Sequence, residues 1–366
     1  MSAVAANTPL FIGSGIYRGS SYGPGHPLRV ARVSTVIDLC GAMGWLAGRY
    51  RASPRAKPEA LHLWHTPDYI AALLSAEARG FATDTDRRQY HLGTLSNPVY
   101  REVFRRPATG AGGTMLAAEL LRDGGVIYVP GGGTHHGLPD RANGFCYLND
   151  IVLGMKVLRQ NGARRIAYVD IDAHHCDGVE AGFAGDPDTL LISVHEAGRW
   201  PFTGAASAGN CINIPVPRGF NDTEMRAVLG RAILPSVVGF KPDAVVLQCG
   251  ADALEEDPLA RLGLSNNAHV EVVRALLGLA PRFLVLGGGG YNPWSVGRCW
   301  SRVWAELAGE FVPDHLPAPA EAVLRALDWG GGCRPRPAER MFTTLIDPPR
   351  EGPIRPEVTD AIGRAT

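Results

Sequence analysis

From Leu10 to about residue 310 the chain alternates short apolar runs with helical patterns, and this alternation constrains the fold more than any other feature. The strand candidates are Leu10–Ile12, Leu61–Trp64, Val126–Val129, Ile166–Ile171, Leu190–Val194, Ile212–Ile214, Ala244–Gln248 and Phe283–Leu286. They are rich in Val, Ile and Leu with little polar alternation, as in a sheet buried on both faces. Helices fall between them. Val30, Val33, Ile37 and Cys40 mark one face of an early helix. Asn221 with Glu224 reads as a capping box, followed by Met225, Val228, Leu229, Ala232 and Ile233 at helical spacing. Repeated strand–helix–strand units imply a parallel sheet with helices on both faces. No linker or internal repeat breaks the pattern, so residues 1–312 are expected to form one α/β domain. Residues 313–366 form a proline-rich extension (Pro313, Pro317, Pro319, Pro335, Pro337, Pro348, Pro349, Pro353, Pro356), wrapped on the domain or partly disordered. One short helix is expected near Ala320–Leu327.

Composition removes several function classes. Thirty-six Lys+Arg balance 36 Asp+Glu. A nucleic-acid binder usually shows a basic excess or block, and neither is present. No apolar run approaches the ~18 residues of a membrane span. The N-terminus lacks the basic and apolar regions of a secretory signal. The seven cysteines (Cys40, Cys146, Cys176, Cys211, Cys249, Cys299, Cys333) are odd in number, scattered and without a C-x-x-C pair. That pattern argues against a disulfide framework or a zinc finger and suits small buried residues in a reducing cytoplasm. The 45 glycines exceed the usual ~7% and point to tight turns and close backbone approaches.

In open parallel sheets, chemistry collects beyond the carboxyl ends of the strands. Four strand ends stand out. In Ala167-Tyr-Val-Asp-Ile-Asp-Ala-His174, alternation points Asp170, Asp172 and His174 the same way. Carboxylates with an imidazole suit Zn²⁺ or another divalent ion such as Fe²⁺. Taken alone, the segment fits equally a turn cap and a core histidine. In Gln248-Cys-Gly-Ala-Asp-Ala-Leu254, Asp252 supplies a third ligand or caps the next helix. Three protein ligands with one open position is the catalytic zinc pattern. In Val129-Pro-Gly-Gly-Gly-Thr-His-His136, the glycine run fails the dinucleotide test, because the third glycine would fall on His136. Tandem histidines at a strand end suit proton transfer beside a metal-bound water, with Asp170 and Asp177 available to orient them. Two structural histidines in a turn is the plainer alternative. In Leu284-Val-Leu-Gly-Gly-Gly-Gly-Tyr291, the loop presents a tyrosine hydroxyl able to donate to an oxyanion; alone it reads as a surface aromatic.

Together the segments Gly131–Asp150, Val169–Val179, Ile192–Glu196, Leu247–Leu254 and Leu286–Asn292 resemble the zinc-dependent histone deacetylase family, over roughly residues 10–310 and in one order. The GHPLRVARVS stretch is most similar to the bacterial acetoin-utilisation type. The resemblance implies a three-layer arginase–deacetylase fold with about eight parallel strands. It implies Asp172, His174 and Asp252 as metal ligands. It implies His136 with Asp177 as general base and acid, His135 with Asp170 as its neighbour, and Tyr291 as the carbonyl-polarising group. Gly144, Phe145 and Trp200 match a substrate tunnel. Asp170, Asp172, His174, Ser193 and Val194 match a structural potassium site. The expected reaction is removal of acetyl groups from acetyl-lysine or related acetylated amines. Acetylpolyamine or other small-molecule amide hydrolysis is the alternative, and a non-catalytic sensor is disfavoured because His136 and Tyr291 are both present.

Two departures qualify the resemblance. A two-manganese ureohydrolase would need acidic ligands where Cys176 and Leu254 stand, so one metal is expected. Cys176 also replaces the family's glycine and either crowds the turn or packs. The loop near Gly93–Pro98 carries Thr94, Leu95, Ser96 and Asn97 where peptide-acting members carry an acid. Arg32 is either on the acetate exit path or an ion-pair partner.

Overall fold

The computed structural model describes residues 8–330 and 336–365. Among these, eight strands form one sheet: β1 (Leu10–Gly13), β2 (Tyr50–Ala52), β3 (Gly125–Val129), β4 (Ile166–Asp170), β5 (Thr189–Glu196), β6 (Cys211–Val216), β7 (Ala244–Gln248) and β8 (Arg282–Leu286). Their order is β2-β1-β3-β8-β7-β4-β5-β6. Every neighbouring pair is parallel.

One expected strand is not a strand. Leu61 closes a short helix, Pro58–Leu61, and residues 62–64 form a turn. Its apolar side chains serve packing between helices: Leu61 is fully buried, and Leu63 and Trp64 lie against two side-chain clusters. The eighth strand is β2 instead. All three of its residues are exposed at the sheet edge, so no apolar run marks it.

The lack of alternation in the other strands has a direct cause. Successive side chains point to opposite faces, and both faces are covered. Tyr128, Val169, Val245, Leu247, Phe283 and Val285 join one core with helices Val33–Ala42, Asn266–Leu276 and Pro293–Ala308. Ile127, Val129, Tyr168, Val246, Leu284 and Leu286 join the other with helices Arg105–Leu120 and Asp150–Gln160. The capping box at Asn221 and Glu224 forms as expected. Its helix passes through a wider π-type turn, Leu229–Ile233, before continuing as Leu234–Phe240. Val30 lies outside the early helix, which starts at Val33.

The described part of the proline-rich segment packs on the first core. A helix spans Ala318–Arg325, near the expected place. Leu316, Leu345, Val358 and Ile362 are buried in that core, and the helix Pro356–Ala365 that carries the last two lies beside edge strand β6. Asp347 pairs with the fully buried Arg298 at 2.7 Å. Cys333 and Pro335 lie outside the described residues. The six described cysteines are buried and unpaired. No helix among the described residues is long and apolar enough to cross a membrane.

Candidate active site

The four segments singled out in the sequence follow β3, β4, β7 and β8. These strands are adjacent in the sheet, in the order β3-β8-β7-β4. Residues as far apart in sequence as His135 and Tyr291 are thereby delivered to one carboxyl edge, where open parallel sheets carry their ligands.

After β4 and β7, Asp172, His174 and Asp252 come together. One ligand atom from each lies within 4.8 Å of the others, all three residues are buried, and this is the one such group among the described residues. His174 Nδ1 lies 3.1 Å from Asp172 Oδ1 and 3.0 Å from Asp252 Oδ2. The free carboxylate oxygens are tied down. Gln248 Nε2 donates to Asp172 Oδ2 at 2.9 Å, as does Gly289 N at 2.8 Å, and Ala173 N donates to Asp252 Oδ1 at 3.0 Å. Gly289 must be glycine, because a Cβ there would overlap the Asp252 carboxylate.

The electrostatics call for positive charge. Burial disfavours a charged His174, yet its hydrogen bonds to Asp172 and Asp252 outweigh that and push it up to about 10. Burial and the Asp172 charge push Asp252 above the usual carboxylate range. Two buried carboxylates beside an imidazole are the donor set of a divalent cation, and its charge would offset theirs.

The tandem histidines after β3 are each paired. His135 Nδ1 donates to Asp170 Oδ2 at 2.8 Å, and Asp170 also accepts from Tyr168 Oη. His136 Nδ1 donates to Asp177 Oδ1 at 2.6 Å, with Asn143 Nδ2 holding Asp177 Oδ2 at 2.9 Å. The two rings differ in charge preference. For His135, burial is outweighed by Asp170 and Asp172, which push it up to about 9. Burial, and then the charge on His135, push His136 down to about 4. A neutral His136 with Nδ1–H committed to Asp177 presents Nε2 as a proton acceptor.

Tyr291, after β8, lines the same cavity as His135, His136, Asp172, His174 and Asp252. Burial, then the nearby Asp252, hold its hydroxyl well above its ordinary pKa, so it stays a donor. Trp200 stands edge-on to His136, ring centres 4.6 Å apart, and faces Gly144. A Cβ on Gly144 would overlap that indole. Phe145 has φ 68°, a left-handed conformation that costs a non-glycine residue about 1–2 kcal/mol. Gly144, Phe145 and Trp200 line the outer mouth together with Tyr291. Arg32 donates to the carbonyls of Gly290 at 3.0 Å and Gly288 at 2.9 Å and lines the inner cavity. Its partners are carbonyls of the tyrosine-bearing loop rather than a carboxylate. Cys176 packs: it is buried with φ −81°, which any residue adopts, so it strains nothing.

Three supporting residues escaped the sequence reading. Asp150 accepts from Gly133 N and Thr134 N, at 3.0 and 2.8 Å, and so shapes the loop that carries the histidines. Gln248 holds Asp172, and its Oε1 accepts from Gly250 N at 2.8 Å. Asp257 Oδ2 accepts from Tyr291 N at 2.6 Å and its Oδ1 from Leu259 N at 2.8 Å. Asp150 carries a partial signal, following the Asn149 cap of a helix; the other two act through contacts no local pattern encodes. Ser193 pairs in register with Asp170 across β4 and β5, and its hydroxyl is hydrogen-bonded to His195 Nδ1 at 2.9 Å.

A catalytic edge of this composition, on a doubly covered parallel sheet, has the make-up of a metal-dependent hydrolase. Comparison with known proteins agrees. The histone deacetylase domain model matches residues 26–307. The acetoin utilization protein AcuC of Bacillus subtilis is 32% identical over 96% of this chain and 94% of its own length. Histone deacetylase 6 of Arabidopsis thaliana is 33% identical over 88% of this chain and 71% of its own. The crystal structure of a histone deacetylase homologue from Aquifex aeolicus superposes with a TM-score of 0.92 at 35% identity, covering 98% of this chain and 99% of that one. The chain belongs to the histone deacetylase family and is a metal-dependent deacetylase.

Proposed function

We propose that this enzyme removes acetyl groups from the amine of acetyl-lysine in proteins or related acetylated amines, in the cytoplasm, with zinc or iron(II) held by Asp172, His174 and Asp252. The observation that carries this reading is the convergence of that triad, the two His–Asp pairs and Tyr291 on one cavity. A bound divalent ion would supply Lewis-acid polarisation of the acyl carbonyl and lower the pKa of an attacking water.

The protein's own groups do the rest. His136, held neutral and oriented by Asp177, takes the water proton as attack occurs. His135, paired with Asp170, places positive charge beside the developing negative charge. The Tyr291 hydroxyl donates to the forming oxyanion. His136 then returns its proton to the leaving amine. Gly144, Phe145 and Trp200 exclude water from the substrate's methylene chain. Acetate is proposed to leave through the inner cavity past Arg32. A structural potassium ion near Asp170, Asp172, His174, Ser193 and Val194 is proposed from the family likeness alone. None of the buried side-chain atoms left without a hydrogen bond among the described residues belongs to this set, so no orphaned side chain adds support for it.

One observation bears on the alternative substrate class. The residues lining the mouth include no Asp or Glu, and Leu95 beside it is 98% exposed. An acetylpolyamine would find no counter-charge there, which favours acetyl-lysine or a neutral amide. A kinetic panel of acetyl-lysine peptides, acetylpolyamines and longer acyl-lysines, with zinc and iron(II) reconstitution, tests the reading. Turnover confined to acetylpolyamines would overturn the substrate class; full turnover after chelation would overturn the mechanism.

A further inference from the structure

The tunnel wall formed by Phe145 is held from outside the site. Phe145 adopts φ 68°, a conformation its own side chain disfavours, so something must hold it. Both of its backbone polar groups have a side-chain partner far away in sequence. Its N–H donates to Asn97 Oδ1 at 3.0 Å. Its carbonyl accepts from Tyr22 Oη at 3.1 Å. Asn97 is only 3% exposed and is itself fixed, with its N–H on Thr94 Oγ1 at 3.1 Å and its carbonyl on Gly93 N at 2.7 Å. The Phe145 ring stands edge-on to Tyr291, centres 5.8 Å apart, and to His26, 4.5 Å apart. His26 in turn reaches the carbonyl of Ser96 at 3.2 Å. Two loops, around Tyr22 and around Asn97, thus grip the peptide groups on either side of the Phe145 Cα in the tunnel wall.

We propose that Asn97 and Tyr22 are positioning residues that clamp Phe145 in its left-handed conformation and so set the width of the substrate tunnel. This rests on the deacetylase reading above. The loop carrying Asn97 then has a task that needs no acidic residue: its amide oxygen fixes the wall rather than gripping the substrate backbone.

The test compares Asn97→Leu, which removes the acceptor, with Asn97→Asp, which keeps an oxygen there, and Tyr22→Phe, which removes the other partner. Asn97→Leu should raise KM for acetyl-lysine substrate about tenfold with kcat within about threefold. Asn97→Asp should stay within about threefold of wild type in KM, and Tyr22→Phe should fall between. Binding gives a second readout. A linear aryl hydroxamate, long enough to fill the tunnel, should lose about tenfold in Kd in Asn97→Leu, while acetohydroxamate, confined to the inner end, should change less than about twofold. A folding defect alone would lower the active fraction and leave KM and both Kd values unmoved. Unchanged KM in Asn97→Leu, or equal losses for the two hydroxamates, would overturn the clamp. A wild-type protein inert with either metal would instead overturn the proposed function, and the clamp's role with it.

Discussion

Nδ1 of His174 lies 3.0 Å from Oδ2 of Asp252, 78 residues away in the chain. The contact exists because β4 and β7 are neighbours in register, Asp170 beside Gln248, so the loops leaving the two strands meet at one edge. Metal removal should therefore loosen this edge as well as stop catalysis. With metal at about a thousand times its Kd, binding contributes roughly 4 kcal/mol of stability. Thermal melts before and after chelation should show the loss, and zinc should restore it. Asp252→Asn should abolish both the metal retention and the shift.

Tyr291→Phe removes one donor to the oxyanion and leaves the metal ligands intact. The rate should fall by about 10²–10³. Metal content, measured by elemental analysis, should not change. A variant as fast as wild type would remove Tyr291 from the mechanism.

His136 and Asp177 should differ in degree. His136→Ala removes the proton acceptor and should lower kcat by about 10²–10⁴. Asp177→Asn leaves the ring but weakens its orientation, so its kcat should fall less. Steady-state kinetics at saturating substrate reads both, and the reverse order would exchange their roles.

Stability should depend on pH through His65, which is not one of the metal ligands. Its Nε2 accepts from Asn149 N at 3.0 Å, at the head of the helix that comes after the histidine loop. Burial pushes His65 down to about 4. Because the folded value lies below the unfolded one, the unfolded chain binds the extra proton first. The stability is present above about pH 6.5 and is lost as pH falls toward 4, by roughly 3 kcal/mol in all. Urea titrations between pH 7 and 4.5 should show a steeper loss in wild type than in His65→Gln. Equal slopes would assign the dependence to other groups.

Much of this architecture is legible in the chain. Runs such as Ile166–Ile171 and Ala244–Gln248 announce strands covered on both faces, and they occupy the sheet centre. Legibility ends where burial and strand pairing part company. Leu61–Trp64 is apolar because helices pack on it, whereas Tyr50–Ala52 pairs at an exposed edge. The site obeys the same rule. Asp172, His174, Asp252, the two histidines and Tyr291 sit at strand ends and are visible as motifs. Asp257, Gln248, Asn97 and Tyr22 reach the site through hydrogen bonds to Tyr291, Asp172 and Phe145, 34 to 123 residues distant, and no local motif marks that role.

The central claim is that one divalent ion at Asp172, His174 and Asp252 supports deacetylation. Its most direct test is a titration of zinc into chelated enzyme while following deacetylation of an acetyl-lysine substrate. Activity should rise linearly and stop at about one ion per chain, as the single three-ligand group implies. Full activity without metal, or a requirement for two ions per chain, would contradict it.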